Sequence, residues 1–425
     1  MSTDDRIPTP TTELDVDEIA LGDLETWLRP DREGIFAKLR AERPVSFHAE
    51  PELENMPRGP GFWALARYAD VMHVSRSPDV FVSSRGGTNI GDIPPELAEF
   101  LGSIINMDAP RHTKLRRLVS TGFTPKQIAR LEQSVRDRAG AVVDAVAEKG
   151  GCDFVAEIAA PLPLQIICDM MGIPASDEQQ IFDYTNVILG VGDPEYVGSL
   201  EELMAAGYGL YQYGLDLAED RRRTPRDDIV TALMEAEVDG ERLTPHELGS
   251  FFVLLVVAGN ETTRTAISHG MHALTQNPDE RARWMSDLDG VSPTAVEEIV
   301  RWATPVIHFR RTATRDTEIG GTRIAEGDKV VMFYNSANRD EAVFDDPYRF
   351  DVTRRPNDHV GFGGGGPHFC LGANLARREI RVMFEELFRR LPDIRVTGEP
   401  DMLQSIFIHG IKRMPVEYTA SSARK

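Results

Sequence analysis

The chain has 425 residues, 41% of them hydrophobic and 27% charged, with a formal net charge of -21. That balance permits a large buried core and excludes a globally disordered chain. The acidic excess argues against nonspecific nucleic-acid binding and against docking on an anionic membrane surface, because both would repel it.

Residues 1–20 read as a loose, polar and acidic lead-in with no apolar signal core. Phe62-Trp63-Ala64-Leu65 reads as a strand of a small sheet near the N-terminus. From about residue 110 to 300 the pattern is helical, punctuated by glycine and proline at 150–151, 172–174, 190–194 and 224–225. One long helix is well marked. Thr244 fits its N-cap, Pro245 the first helical position and Glu247 a capping box, and Asn277-Pro278 ends it. Such a rod is roughly 48 Å long. Its middle, residues 251–258, is apolar all round, so it should cross the core. That run is also the longest apolar stretch, far short of the about 20 residues that span a bilayer. A helix opened by Ser292-Pro293 follows. Between 305 and 350 the texture changes to alternating segments broken by Gly320-Gly321 and Gly327, which predicts short hairpins. A last amphipathic helix covers 371–391, and residues 419–425 read as a flexible tail. The expectation is one domain over 21–418, mainly α with a smaller β-rich portion, in a cytoplasmic protein without a membrane anchor.

The three cysteines, Cys152, Cys168 and Cys370, form no CxxC pair, so neither a structural zinc site nor a disulfide framework is indicated. Cys152 and Cys168 read as core residues. Cys370 differs because it follows a glycine-rich loop, residues 361–369, and precedes a helix. Gly361, Gly363 and Gly366 satisfy a GxGxxG spacing, but no buried strand precedes them and too little chain follows for a dinucleotide-binding half. A metal-thiolate loop fits better. Glycines let backbone pass close to a flat cofactor, their N–H groups can point at a sulfur, and Gly372 leaves room for a ring face. In the long helix, Ala258-Gly259-Asn260-Glu261-Thr262-Thr263 interrupts the apolar run with small, acidic and hydroxyl residues. Local conflict of this kind marks functional sites. Glu298 and Arg301, at i and i+3, could pair, and His112 and Arg116, at i and i+4, share one helix face.

Together these segments resemble the cytochrome P450 family. Gly364, Gly366, His368, Cys370 and Gly372 match its haem-ligand signature, with one departure: Gly363 stands where a phenylalanine is usual and Phe362 lies one step earlier. The resemblance implies the P450 fold, with haem b buried between the helical and β-rich portions and Cys370 as its iron ligand. A thiolate ligand favours O–O cleavage. It also implies that Thr262 donates a hydrogen bond to the oxygen being activated, that Glu261 relays protons, and that Ala258 and Gly259 leave space over the haem. His112, Arg116, Arg311 and His368 would hold the propionates. Glu298, Arg301 and Arg349 would form a buried structural triad. The match runs from about residue 30 to 418, and local text resembles the bacterial branch that oxidises methyl-branched lipids and sterol side chains. The implied reaction inserts one oxygen atom from O2 into a terminal C–H bond of an apolar lipid. Electrons would come from NAD(P)H through a reductase and a ferredoxin, the latter docking on Lys114, Arg117 and Arg377. Candidate pocket walls are Ile104, Ile105, Leu189, Val257, Val306, Ile307 and Phe407. A sterol side-chain hydroxylase, a peroxide-driven enzyme and a non-catalytic haem or lipid binder are the competing readings.

Overall fold

The computed structural model describes residues 6–51, 59–92, 103–120, 123, 125–237 and 240–422. The helices that build the site are, in chain order, α1 (Tyr68–Ser75), α2 (Arg111–Ser120), α3 (Pro125–Val146), α4 (Pro161–Met171), α5 (Glu178–Leu189), α6 (Leu200–Arg223), α7 (Pro245–Gln276), α8 (Leu288–Ala303) and α9 (Ala373–Arg390). The strands that matter here are β1 (Val45–His48), β2 (Phe62–Leu65), β3 (Phe81–Val82), β4 (His308–Ala313) and β5 (Lys329–Phe333), in the sheet order β1-β2-β5-β4-β3. A separate hairpin pairs β6 (Asp401–Met402) with β7 (Ile411–Arg413). Strand β2 meets β5 in parallel, Ala64 opposite Val331, and every other neighbour in the larger sheet is antiparallel. Both faces of β5 are buried, which is why it reads as a continuous apolar run.

Helix α7 starts where the capping box places it: Thr244 accepts from the Glu247 N–H, and Glu247 reaches back to the Thr244 N–H. It packs against α4, α5, α6, α8 and α9. The last two approach closely because Gly270 carries no side chain. A Cβ there would lie 2.9 Å from Ile299 of α8 and from Phe384 of α9. Among the described residues no helix is long and apolar enough to cross a membrane. The described part of the lead-in is not loose. Ile19 and Leu21 are buried, Leu14 and Val16 pack on the same cluster, and Gly34 nests against the Thr11 backbone.

Helix α8 begins at Leu288, earlier than the Ser292-Pro293 expected from sequence. Asp287 caps it by accepting from the Gly290 N–H, and Pro293 lies inside. The hydroxyl of Ser292 accepts from the Trp284 indole, so the Ser-Pro pair serves packing rather than initiation.

The triad expected from Glu298, Arg301 and Arg349 is corrected in one member. Arg301 grips the Glu298 carboxylate through two bonds of 2.7 Å, and the second guanidinium is that of Arg354, with Nε 3.2 Å from both oxygens. Arg349 contributes only its carbonyl, which accepts from Arg301 and Arg354. The reason is the path of the chain. It turns at Asp346, where φ is +48°, so the peptide of residue 349 faces inward while the next arginine returns over the carboxylate. The Asp351 N–H and the Asn357 amide complete the shell around Glu298. Burial opposes its ionisation, but the Arg301 and Arg354 cations and these donors hold its pKa below the ordinary value. Removing one partner of a buried pair leaves a charge uncompensated. Arg354→Ala should therefore lower unfolding free energy by about 3–5 kcal/mol, whereas Arg349→Ala should cost under about 1 kcal/mol. Urea unfolding of the two variants separates the assignments, and equal losses would refute the correction.

Candidate functional site

Three stretches build the site: the cysteine loop, the middle of α7 and a cationic cluster beside α2. The triad delivers the first. Asn338, whose carbonyl Arg301 holds, accepts the Val360 N–H through its side chain, and the chain then enters the glycine loop. Gly363, Gly365 and Gly366 take positive φ of +100°, +78° and +81°. A Cβ on Gly366 would stand 2.3 Å from the Ser75 carbonyl of α1, so the loop lies flat on that helix end. The positive φ at Gly363 excludes the phenylalanine usual there. Phe362 packs nearby instead, its ring under the Arg377 guanidinium at 4.4 Å, and its carbonyl accepts the Cys370 N–H at 2.9 Å.

Cys370 is walled by protein yet presents an open surface. Burial raises its thiol pKa against the pull of the Gly372 and Ala373 N–H groups and of Arg116 and Arg377. The other two thiols are ordinary interior groups, pushed up by burial to about 11 at Cys152 and about 12 at Cys168. Beyond Cys370, a Cβ on Gly372 would meet nothing within 4 Å. Phe369 is 39% exposed.

On α7 the same signature recurs. Ala258 is exposed and Thr262 half-buried, although they sit in the middle of a helix that crosses the core. The Thr262 hydroxyl donates to the Ala258 carbonyl at 2.8 Å, a local bond that occupies it without fixing it elsewhere. Gly259 does not share that open side. Its Cβ would meet Ile167 of α4 at 3.3 Å, so it serves close helix packing instead of the space expected over a cofactor. Glu261 also points away. It is buried, paired with Arg264, and close to the turn at Gly410. Arg264 in turn donates to Asn186 of α5 at 3.0 Å, and Asn260 donates to Thr185. Sequence gave no sign of this Arg264–Asn186 support.

The cationic cluster gathers all four expected residues. The rings of His112 and His368 lie 4.2 Å apart, and His112 Nε2 is buried without a hydrogen-bond partner. Burial, Arg311, His112 and Arg116 together push the His368 imidazole down to about 2. Burial also lowers Arg311 and Arg116. Asp108 is the nearby acid, but its carboxylate is already taken by the N–H groups of Ser83 and Ser84. Two guanidiniums beside imidazoles, one with an unpartnered ring nitrogen and no free acid at hand, suit an anion. The donor set therefore fits a flat group that carries two carboxylates and offers a metal to Cys370, and haem is such a group.

The candidate walls divide. Ile104 and Ile307 are buried core residues, whereas Ile105, Leu189, Val257, Val306 and Phe407 each keep an open side. Two of the expected docking cations are already paired: Lys114 with Glu241 at 3.0 Å, and Arg377 with Glu297. Only Arg117 of the three is exposed.

Residues 210–392 match the family model described as Cytochrome P450. The methyl-branched lipid omega-hydroxylase of Mycobacterium tuberculosis is 55% identical over 416 residues, covering 97% of each chain. The steroid C26-monooxygenase of Rhodococcus jostii is 46% identical, over 91% of this chain and 82% of that one. Among solved structures, a Mycobacterium marinum cytochrome P450 in complex with pseudoionone superposes with a TM-score of 0.90 at 46% identity, covering 96% and 99% of the two chains. With a thiol open to the interior and full-length relatives of this identity, the chain belongs to the cytochrome P450 family of haem-dependent monooxygenases.

Proposed function

We propose that the protein hydroxylates the terminal methyl of methyl-branched lipids, with Cys370 as the haem ligand and Thr262 and Glu261 managing protons. The observation that carries the reading is the paired opening on two buried elements, Cys370 on its loop and Ala258 with Thr262 on α7. Bound haem supplies an iron that, with a thiolate ligand, activates O2 and inserts one oxygen atom into a C–H bond. His112, Arg116, Arg311 and His368 would hold its propionates. Thr262 holds a proton at Oγ1 on the open side of α7 and can turn it from the Ala258 carbonyl toward the reacting oxygen. Glu261 lies one residue earlier and would refill that hydroxyl when released from Arg264.

A terminal methyl C–H bond is harder to break than an internal one, so the protein must limit which carbon arrives. Ile105, Leu189, Val257, Val306 and Phe407 supply apolar walls for that purpose. Electrons would come from NAD(P)H through a reductase and a ferredoxin. The relatives' names support lipid and sterol side-chain substrates alike. The higher identity and coverage favour the branched lipid.

Two measurements test the assignments. Cys370→Ser should abolish the red-shifted absorption of the reduced carbon monoxide adduct, and its persistence would disprove the ligand. Thr262→Ala should bind lipid normally while product formed per NADH falls by roughly an order of magnitude or more. Unchanged coupling would remove Thr262 from proton delivery and favour peroxide-driven chemistry.

For the substrate, phytanic acid and a sterol should be compared by their shift of the haem Soret band and by product analysis. A terminal alcohol from the branched acid is expected. Turnover of the sterol alone would move the assignment to the second reading.

A further inference from the structure

The second half of α8 carries two carboxylates on successive residues. Glu298 gathers the arginine shell, and Glu297 faces α9 and the cysteine loop. Arg377 of α9 donates to Glu297 through both Nε and Nη2, the second at 3.0 Å. His359, at the entry to the glycine loop, adds a third bond. Its Nδ1 accepts the Gly361 N–H at 3.1 Å, so its proton sits on Nε2 and is donated to Glu297 Oε2 at 2.9 Å. Burial pushes the Glu297 carboxyl up, but the His359 and Arg377 hydrogen bonds outweigh it and hold the group at about 2. At neutral pH the pair is therefore fully charged.

Exposed pairs of this kind are usually worth little. Three observations set this one apart. The His359 side chain is 3% exposed, so the carboxylate is fixed from the protein side. The Arg377 guanidinium lies 4.4 Å over the Phe362 ring, and the carbonyl of Phe362 accepts the Cys370 N–H at 2.9 Å. The neighbouring arginines of α9 turn elsewhere: Arg378 pairs with Glu132 of α3 at 2.7 Å and Arg381 with Asp289 at 3.0 Å.

The cationic end of the pair is thus the end beside the cysteine loop. Its charge reaches the sulfur. Burial opposes the Cys370 thiolate, and Arg116 and Arg377 are the cations that favour it. Arg116 belongs to the cluster that would face the propionates, whose charge would offset its own. Arg377 has no part in that cluster. A charge in poorly solvated surroundings acts more strongly than in water, and charge around a metal's ligands sets its potential. Reduction of the iron adds a negative charge. A cation beside its ligand favours the reduced state, and a carboxylate opposes it.

We infer that Arg377, seated on Phe362 and partly neutralised by Glu297, is a positioning residue that sets the reduction potential of the haem through the sulfur of Cys370. The inference rests on Cys370 being the iron ligand.

The test is a potentiometric titration of the substrate-free, haem-loaded protein in wild type, Arg377→Met, Glu297→Gln and the charge-conserving Arg377→Lys. The potential should fall in Arg377→Met and rise in Glu297→Gln. A roughly three- to tenfold change in the oxidised-to-reduced ratio at fixed potential is expected each way, tenfold being about 59 mV for one electron. Arg377→Lys should recover most of the wild-type value. The Met and Gln variants break the same ion pair, so a purely structural role would move both potentials in one direction. Shifts of the same sign, or no shift in either, in samples that keep the red-shifted band of the reduced carbon monoxide adduct would overturn the inference. Loss of that band in both variants would overturn it too, because it marks a role in holding the loop. A wild type without the band removes Cys370 as the ligand and takes the inference with it. A wild type with the band and variants with unmoved potentials leaves the ligand in place and removes the inference alone.

Discussion

The contact on which the rest depends is one carboxylate with no access to water. Glu298 is fully buried and receives Arg301, Arg354, Asn357 and the Asp351 N–H. Its two arginines spend their remaining donors on carbonyls of residues 338 and 345–349. A stretch with little secondary structure of its own is thereby given a fixed path. That path ends at the glycine loop and so decides where the sulfur of Cys370 stands. Charge burial is poor value for stability, since well-packed apolar groups would do as well. Here the directional bonds specify a course for the chain that apolar packing could not.

Much of this was legible in the sequence because it depends on local chemistry. The capping box at Thr244 marks the start of α7, and Asn277 its end, from residue types alone. The strand at 62–65 and the hairpins after 305 follow from alternation and glycine breaks. The glycine-rich loop before Cys370 and the helix after it are likewise readable from residue types alone. What stayed hidden depends on where the chain goes between elements. Arg354 could not be told from Arg349, because the choice is made by a turn at Asp346 and not by side-chain type. That Gly259 faces α4 and not the open side is set by helix rotation. The Glu297–Arg377 pair joins helices whose proximity no local pattern announces.

The two sides of the site use polar groups in opposite ways. On the cysteine side, cations are held close together with their nearest acid already occupied, which makes the pocket hungry for an anion. On the α7 side, buried polar groups pair only in part: Glu261 lies against Arg264, Arg264 donates to Asn186 and Asn260 donates to Thr185, while the Asn260 amide oxygen and Arg264 Nε keep no hydrogen-bond partner. The first arrangement suits the haem propionates proposed for it, and the second the proton movement proposed for Glu261 and Thr262.

The crowding of His112, His368, Arg116 and Arg311 also bears on how the protein is made. Without a dianion between them, two guanidiniums and two imidazoles sit against one another with an unpartnered ring nitrogen inside. Anything that binds the native state alone stabilises it by mass action. Haem held there, as proposed, would then stabilise the polypeptide as well as equip it for activity.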